Sequence, residues 1–150
     1  MEETTFAMLK PDCVQRGIIG EVISRFEKKG LRISAMKLVE VSEETAAEHY
    51  KEHVGKPFYE SLLSYISSGP VVTMALTGDS AVDVVRKLVG KTDPKVADPG
   101  TIRGDYAMDV SRNIVHASDS PESAIRELGI FFQEEDFVDY RRVEEEWIYS

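Results

Sequence analysis

The run Val71–Leu76 is apolar and β-branched with almost no alternation, which reads as a central strand of a sheet. Phe6–Leu9 is a second apolar run and reads as a buried first strand. Each is followed by a helical pattern. Ile18–Lys29 places Ile18, Ile19, Val22, Ile23 and Phe26 on one face with charges between, and Gly30 ends it. The second helix carries Ala81, Val82, Val84, Val85, Leu88 and Val89 and stops at Gly90. Leu31–Val41 is extended with partial alternation, and Ile114–His116 supplies the last strand. Two strand–helix–strand units in this order suggest βαββαβ, the ferredoxin-like α+β arrangement of an antiparallel sheet with helices packed on it.

The two units are joined by an arm. Ser42 is an N-cap followed by acids in the first turn, and the helix through Ala46, Ala47 and Tyr50 is broken by Gly55 and Pro57. A second short helix, Phe58–Ile66, runs to Gly69 and Pro70, so the pair forms a helical hairpin. The tail after Asp136 ends in Trp147, Ile148 and Tyr149, an aromatic cluster that a free terminus rarely needs. It is expected to dock. A hydrophobic fraction of 42% over 150 residues suits one domain spanning 1–150.

Charge and targeting narrow the function. The net charge of −9 repels a nucleic-acid backbone, although a local basic pocket still takes a small anion. No apolar run approaches the ~20 residues of a membrane span, and the start MEETTFAML lacks the pattern of a secretory signal. The single Cys13 cannot pair within the chain, which suits a reducing compartment, and it reads as a buried inert thiol. A cytoplasmic location is expected.

The chemistry concentrates in Thr101–Asp119, which holds Arg103, Arg112, Asn113, His116, Ser118 and Asp119. A guanidinium binds phosphate through its planar fork, an amide can hold a sugar hydroxyl, and a neutral imidazole is a nucleophile. Ser120 and Pro121 then read as N-cap and first residue of a helix. A strand end feeding a helix start is where open sheets with helical crossovers place their chemistry. Lys10, at the carboxyl end of the first strand, is another candidate phosphate ligand. The triplet Gly90, Lys91, Thr92 lacks the glycine five positions upstream that a P-loop requires, since Val85 stands there.

The run Asn113, Ile114, Val115, His116, Ala117, Ser118, Asp119, Ser120 resembles the Asn-Ile-x-His-x-Ser-Asp-Ser signature of the nucleoside diphosphate kinases. Further blocks, Lys10-Pro11-Asp12 and Asp98–Asp105 among them, extend the resemblance from Thr5 to Tyr149. It implies transfer of a terminal phosphoryl group between nucleotides through a phosphohistidine on His116, in ping-pong order and with broad base specificity. It also implies roles by position. Glu127 would orient the histidine and Ser118 support it. Lys10 and Asn113 would hold the ribose, and Arg86, Thr92 and Arg103 would clamp the phosphates. Tyr50 and His53 would lie on the phosphate side, while Phe58, Leu62 and Val110 would meet the base. Mg²⁺ carried by the nucleotide phosphates and water is the implied cofactor, and a homo-oligomer, a hexamer built from dimers, the implied assembly. Neither a membrane nor a nucleic acid is called for. Cys13, Ser111 and Ala117 stand where the family more often has glycine. The other reading on this fold is a non-catalytic regulatory or scaffolding protein, which would be expected to have lost His116 or the arginines.

Overall fold

The computed structural model describes Met1–Ser150. Strand β1 (Glu2–Leu9) leads through a one-turn helix α1 (Pro11–Gln15) and helix α2 (Ile19–Lys29) to β2 (Arg32–Val39). The arm follows as α3 (Glu43–His49) and α4 (Tyr59–Ile66), then β3 (Val71–Asp79) and α5 (Ala81–Val89). A short α6 (Ile102–Tyr106) precedes β4 (Val115–Ala117), and α7 (Pro121–Phe131) closes the regular part. The sheet order is β2-β3-β1-β4 with every neighbouring pair antiparallel, as the ferredoxin-like arrangement requires.

Strand parity divides the core. Ala7 and Leu9 of β1, with Val72, Met74 and Leu76 of β3, face the layer that holds Val22 and Phe26 of α2 and Val85 of α5. Phe6, Met8, Val71 and Ala75 face the other way, onto Ala46, Ile66 and Phe132. Both faces of the central strands are therefore covered, which is why β1 and β3 show no polar alternation. The capping residues act as the sequence suggests. The Ser42 and Ser120 side chains accept from the Thr45 and Ser123 amides, and Gly30 closes α2 at φ 114. Glycine is required at that cap, because a side chain there would also stand 2.9 Å from Ile148.

Pro11 starts α1, where its missing N–H costs nothing. Cys13, where the family more often has glycine, is helical and fully buried, so it needs no positive φ, and burial pushes its thiol up to about 12. The tail docks only in part. Val138 N–H and the Tyr140 hydroxyl donate to the Ser34 and Ile33 carbonyls, at the irregularity in β2, and the Asp79 amide donates to the Tyr149 hydroxyl. Trp147 remains 85% exposed.

Candidate active site

His116 sits on β4, paired with Met8 of β1, and projects beside α7. Its Nε2 lies 2.9 Å from Glu127 Oε1, and the same oxygen accepts from Ser118 Oγ at 2.6 Å. Burial alone would raise the Glu127 carboxyl, but the His116 and Ser118 hydrogen bonds and the imidazole charge overcome it and hold it at about 2. An ionised carboxylate can only accept, so Nε2 carries the hydrogen and Nδ1 keeps its lone pair. The α7 cap at Ser120 fixes the helix start, and about two helical turns later Glu127 returns to the histidine.

The approach to His116 is strained. Ile114 has φ 75, a left-handed conformation that a β-branched residue adopts only when its surroundings impose it. They do. Its carbonyl accepts from the Lys10 amide at 2.9 Å, and its own amide donates to Asp12 Oδ2 at 3.0 Å. Tyr65 on α4 donates to the other Asp12 oxygen at 2.6 Å, so the arm is tied to the entry of β4.

Lys10 Nζ donates to Asn113 Oδ1 at 2.7 Å, and Asn113 Nδ2 donates to the Thr92 carbonyl at 3.0 Å. Burial lowers Lys10 to about 8, and an incoming anion would raise it again. Arg103 is 5% exposed and donates to the carbonyls of Gly90, Asn113 and Val115. Three of its five N–H groups are thus committed to backbone, and two remain for a ligand. Its loop holds itself. Thr101 Oγ1 accepts from the Gly104 amide and donates to the Asp98 carbonyl, while Arg25 binds Asp105 at 2.7 Å. Gly104 is obligatory, since a Cβ there would stand 2.0 Å from the Asp98 carbonyl oxygen.

The residues singled out in the sequence fall around three concavities. A cavity of about 710 Å³ is lined by Lys10, Phe58, Leu62, Thr92 and Val110, and also by Tyr65 and Arg112. A hollow of about 100 Å³ holds His116, Glu127, Tyr50 and His53. Arg86 lies apart with Lys87 and Lys91 around a basic hollow, although its Nη1 reaches the Ala117 carbonyl beside His116 at 3.4 Å. Asn113, Ser118 and Arg103 are buried behind these surfaces. One neighbour of His116, His49, carries no mark in the sequence as a site member. His49 packs edge-on against His116 with ring centroids 4.7 Å apart, and burial, then the His116 charge, lower it to about 3. Arg112, one of the candidates in Thr101–Asp119, stacks on Tyr65 at 3.9 Å within the large cavity.

The model of the nucleoside diphosphate kinase family matches residues 3–137. A nucleoside diphosphate kinase of Archaeoglobus fulgidus is 56% identical over 148 residues, covering 99% of this chain and 98% of its own length. That of Bacillus licheniformis is also 56% identical, covering 98% and 99%. A halophilic nucleoside diphosphate kinase from Halobacterium salinarum, solved in complex with CDP, superposes with a TM-score of 0.97 at 45% identity and full coverage of both chains. The Borrelia burgdorferi nucleoside-diphosphate kinase, solved as a transition-state mimic with vanadate and ADP, gives 0.92 at 38% identity, covering 96% and 95%. A sheet of this order, a histidine held by a buried carboxylate and this breadth of agreement have one reading: the chain belongs to the nucleoside diphosphate kinase family.

Proposed function

We propose that His116 Nδ1 takes the terminal phosphoryl group of a nucleoside triphosphate and passes it to a nucleoside diphosphate. The observation that carries this is the contact of Nε2 with the ionised Glu127 carboxylate: it calls for the hydrogen on Nε2, which in the neutral ring leaves the Nδ1 lone pair available. That lone pair attacks the terminal phosphorus, the bond from phosphorus to the bridging oxygen breaks, and the diphosphate leaves. The imidazolium that results is stabilised by the Glu127 carboxylate. A second diphosphate reverses the step through its own terminal oxygen. The CDP and ADP–vanadate complexes of the two relatives support nucleotide binding and phosphoryl transfer as the chemistry.

The base lies in the large cavity against Phe58 and Leu62, with Val110 on its rim. A ring face accepts any base, which supports broad specificity. Lys10 and Asn113 hold the ribose, exchanging their mutual hydrogen bond for its hydroxyls. Arg86, Thr92 and the free N–H groups of Arg103 meet the phosphates, with Tyr50 and His53 on the phosphate side. Ser118 keeps Glu127 aimed at the histidine.

Mg²⁺ fits as an ion carried by the nucleotide. The large cavity offers serine and threonine hydroxyls, Lys10 and Arg112, and no carboxylate that could build a cage of its own. When bound, the ion would offset charge on the phosphoryl oxygens. The whole chain is read as one domain, working in the cytoplasm. No helix is long and apolar enough to cross a membrane, and the one thiol is buried. A hexamer built from dimers is supported by exposed apolar side chains at Met36 and Leu38 of edge strand β2, at Met108 and at Trp147. The self-held Asp98–Asp105 loop does not add to that case.

Incubation with a nucleoside triphosphate labelled on its terminal phosphate, followed by denaturing separation, tests the assignment. An acid-labile, alkali-stable label on His116, lost in His116→Ala, is expected. Label that persists in the variant, on Ser118 or Ser120 for instance, would overturn the mechanism.

A further inference from the structure

His49 takes no part in this transfer, yet it is the most anomalous side chain near it. It ends α3, is 4% exposed, and neither ring nitrogen has a hydrogen-bond partner in the chain. A neutral imidazole has one donor and one acceptor, and a buried ring with both unmet calls for a water or an ion. One ligand atom each from His49, His116 and Glu127 lies within 4.8 Å of the others. All three line the 100 Å³ hollow, far more than the ~15 Å³ one small guest needs. Glu52 and Asp119 share its wall with Glu127, so three carboxylates face the hollow against the guanidinium of Arg126.

We propose that His49, His116 and Glu127 form a binding site for a divalent transition ion of the zinc class, and that the ion silences the nucleophile. Two imidazoles and a carboxylate are a donor set that zinc accepts, with water in the fourth position. Mg²⁺ asks for oxygen ligands and does not compete for this set. Zinc–ligand bonds of ~2.0–2.1 Å in a tetrahedron separate the ligand atoms by roughly 3.3 Å. His116 Nε2 and Glu127 Oε1 are already 2.9 Å apart, so the closure falls mainly on His49.

The consequence follows from the single hydrogen of a neutral imidazole. If His116 gives Nδ1 to the ion, the attacking lone pair is occupied. If it gives Nε2, that nitrogen must lose its hydrogen, and the neutral ring then carries it on Nδ1. Either way no lone pair remains for phosphorus. The inhibition rests on the phosphohistidine reading, whereas the binding does not.

Nucleotide-free protein titrated with zinc against a chromophoric chelator should retain one ion per chain. Cobalt(II) in its place should give the intense visible bands of a four-coordinate site. His49→Phe keeps an aromatic ring against His116 without its nitrogens, and should weaken retention at least ~10-fold. His49→Gln and Glu127→Gln should weaken it too, and melting curves identify the folded variants. Absence of retention by the native chain, or unchanged retention in a folded His49 variant, would overturn the site. With labelled triphosphate and excess Mg²⁺, one equivalent of zinc should suppress labelling of the native chain but not that of His49→Phe relative to its own zinc-free level. Equal suppression in both would overturn the inhibitory role. A native chain that takes no label even without zinc would overturn the phosphohistidine reading, leaving the retention measurements to decide the ion site alone.

Discussion

Phe58 stands 46% exposed at the head of α4, whereas Glu127, Asn113 and Ser118, around the nucleophile, are 5%, 4% and 1% exposed. The neighbours differ as much as the exposure. Phe58 is met by the Lys56 ammonium at 5.8 Å and the His53 ring at 5.5 Å, both from its own stretch of arm. Towards the phosphoryl end, polar side chains are fixed by groups on other segments: Lys10 by Asn113, Asp12 by Tyr65 and Ile114, Arg103 by three carbonyls. The difference matches the two tasks. Stacking tolerates a loosely held ring because it makes no demand on direction, while charge stabilisation at phosphorus requires dipoles already in place. The two ends are still coupled. Tyr65 of the arm, through Asp12, helps hold Ile114 in the strained conformation that delivers His116.

The comparison breaks most visibly at Glu127. Glu127→Gln keeps the shape but loses the charge that stabilises the imidazolium, and its amide can rotate to offer Nε2 a donor instead. Turnover should fall on the order of 10²–10³-fold, with little change in the nucleotide concentration that half-saturates. A loss confined to half-saturation would mean that Glu127 serves binding. The same substitution removes an acid-sensitive term. The folded Glu127 is depressed to about 2 from an ordinary 4.5, so the stability it contributes is complete above 4.5 and is lost as pH falls towards 2. Acid titration of thermal stability should be shallower in Glu127→Gln over that window. Parallel curves would show that the carboxylate is not held by its partners.

Gly104→Ala tests the same end from further away. The added methyl would stand 2.0 Å from the Asp98 carbonyl oxygen, so the turn must open and carry Arg103 off its three carbonyls. A cost of ~2–3 kcal/mol is expected, with turnover lowered for every nucleotide alike. A variant with native melting and native turnover would show that the turn adapts freely.

Legibility in the sequence followed the range of the determining contacts. Caps and stops are local, so Ser42, Ser120, Gly30 and Gly90 marked helix ends that the structure reproduces. The apolar runs located β1 and β3, but not their full length, because Glu2–Thr5 and Thr77–Asp79 are polar or mixed and join the sheet through cross-strand pairing. The last strand shifted by one residue for a physical reason: Ile114 is taken out of the extended conformation by Lys10 and Asp12, more than a hundred positions away. His49 shows the same blindness. On its helix it reads as one buried position among others, and only the packing of α3 against α7 brings it to His116. Trp147 is exposed within the chain, since an aromatic near a terminus does not tell where it packs.

The smallest expected effect lies at the exposed end of the comparison. Phe58→Ala removes one face of the large cavity and leaves every group around His116 in place. Stacking is worth ~1–3 kcal/mol per base. Here the lower half of that range is expected, because a half-exposed ring offers the base one face and leaves its other side open to water. Half-saturating concentrations should therefore rise by roughly 5–30-fold, by a similar factor for adenine, guanine, cytosine and uracil nucleotides. The turnover number should hold, because the ring touches nothing that changes charge during transfer. The purine complexes should lose somewhat more than the pyrimidine ones, in proportion to overlap with the ring. Measuring all four bases in the variant separates this from the alternative. A large loss for one base and none for the rest would mean that this wall reads base edges, and the contrast between a permissive base end and an exacting phosphoryl end would no longer hold.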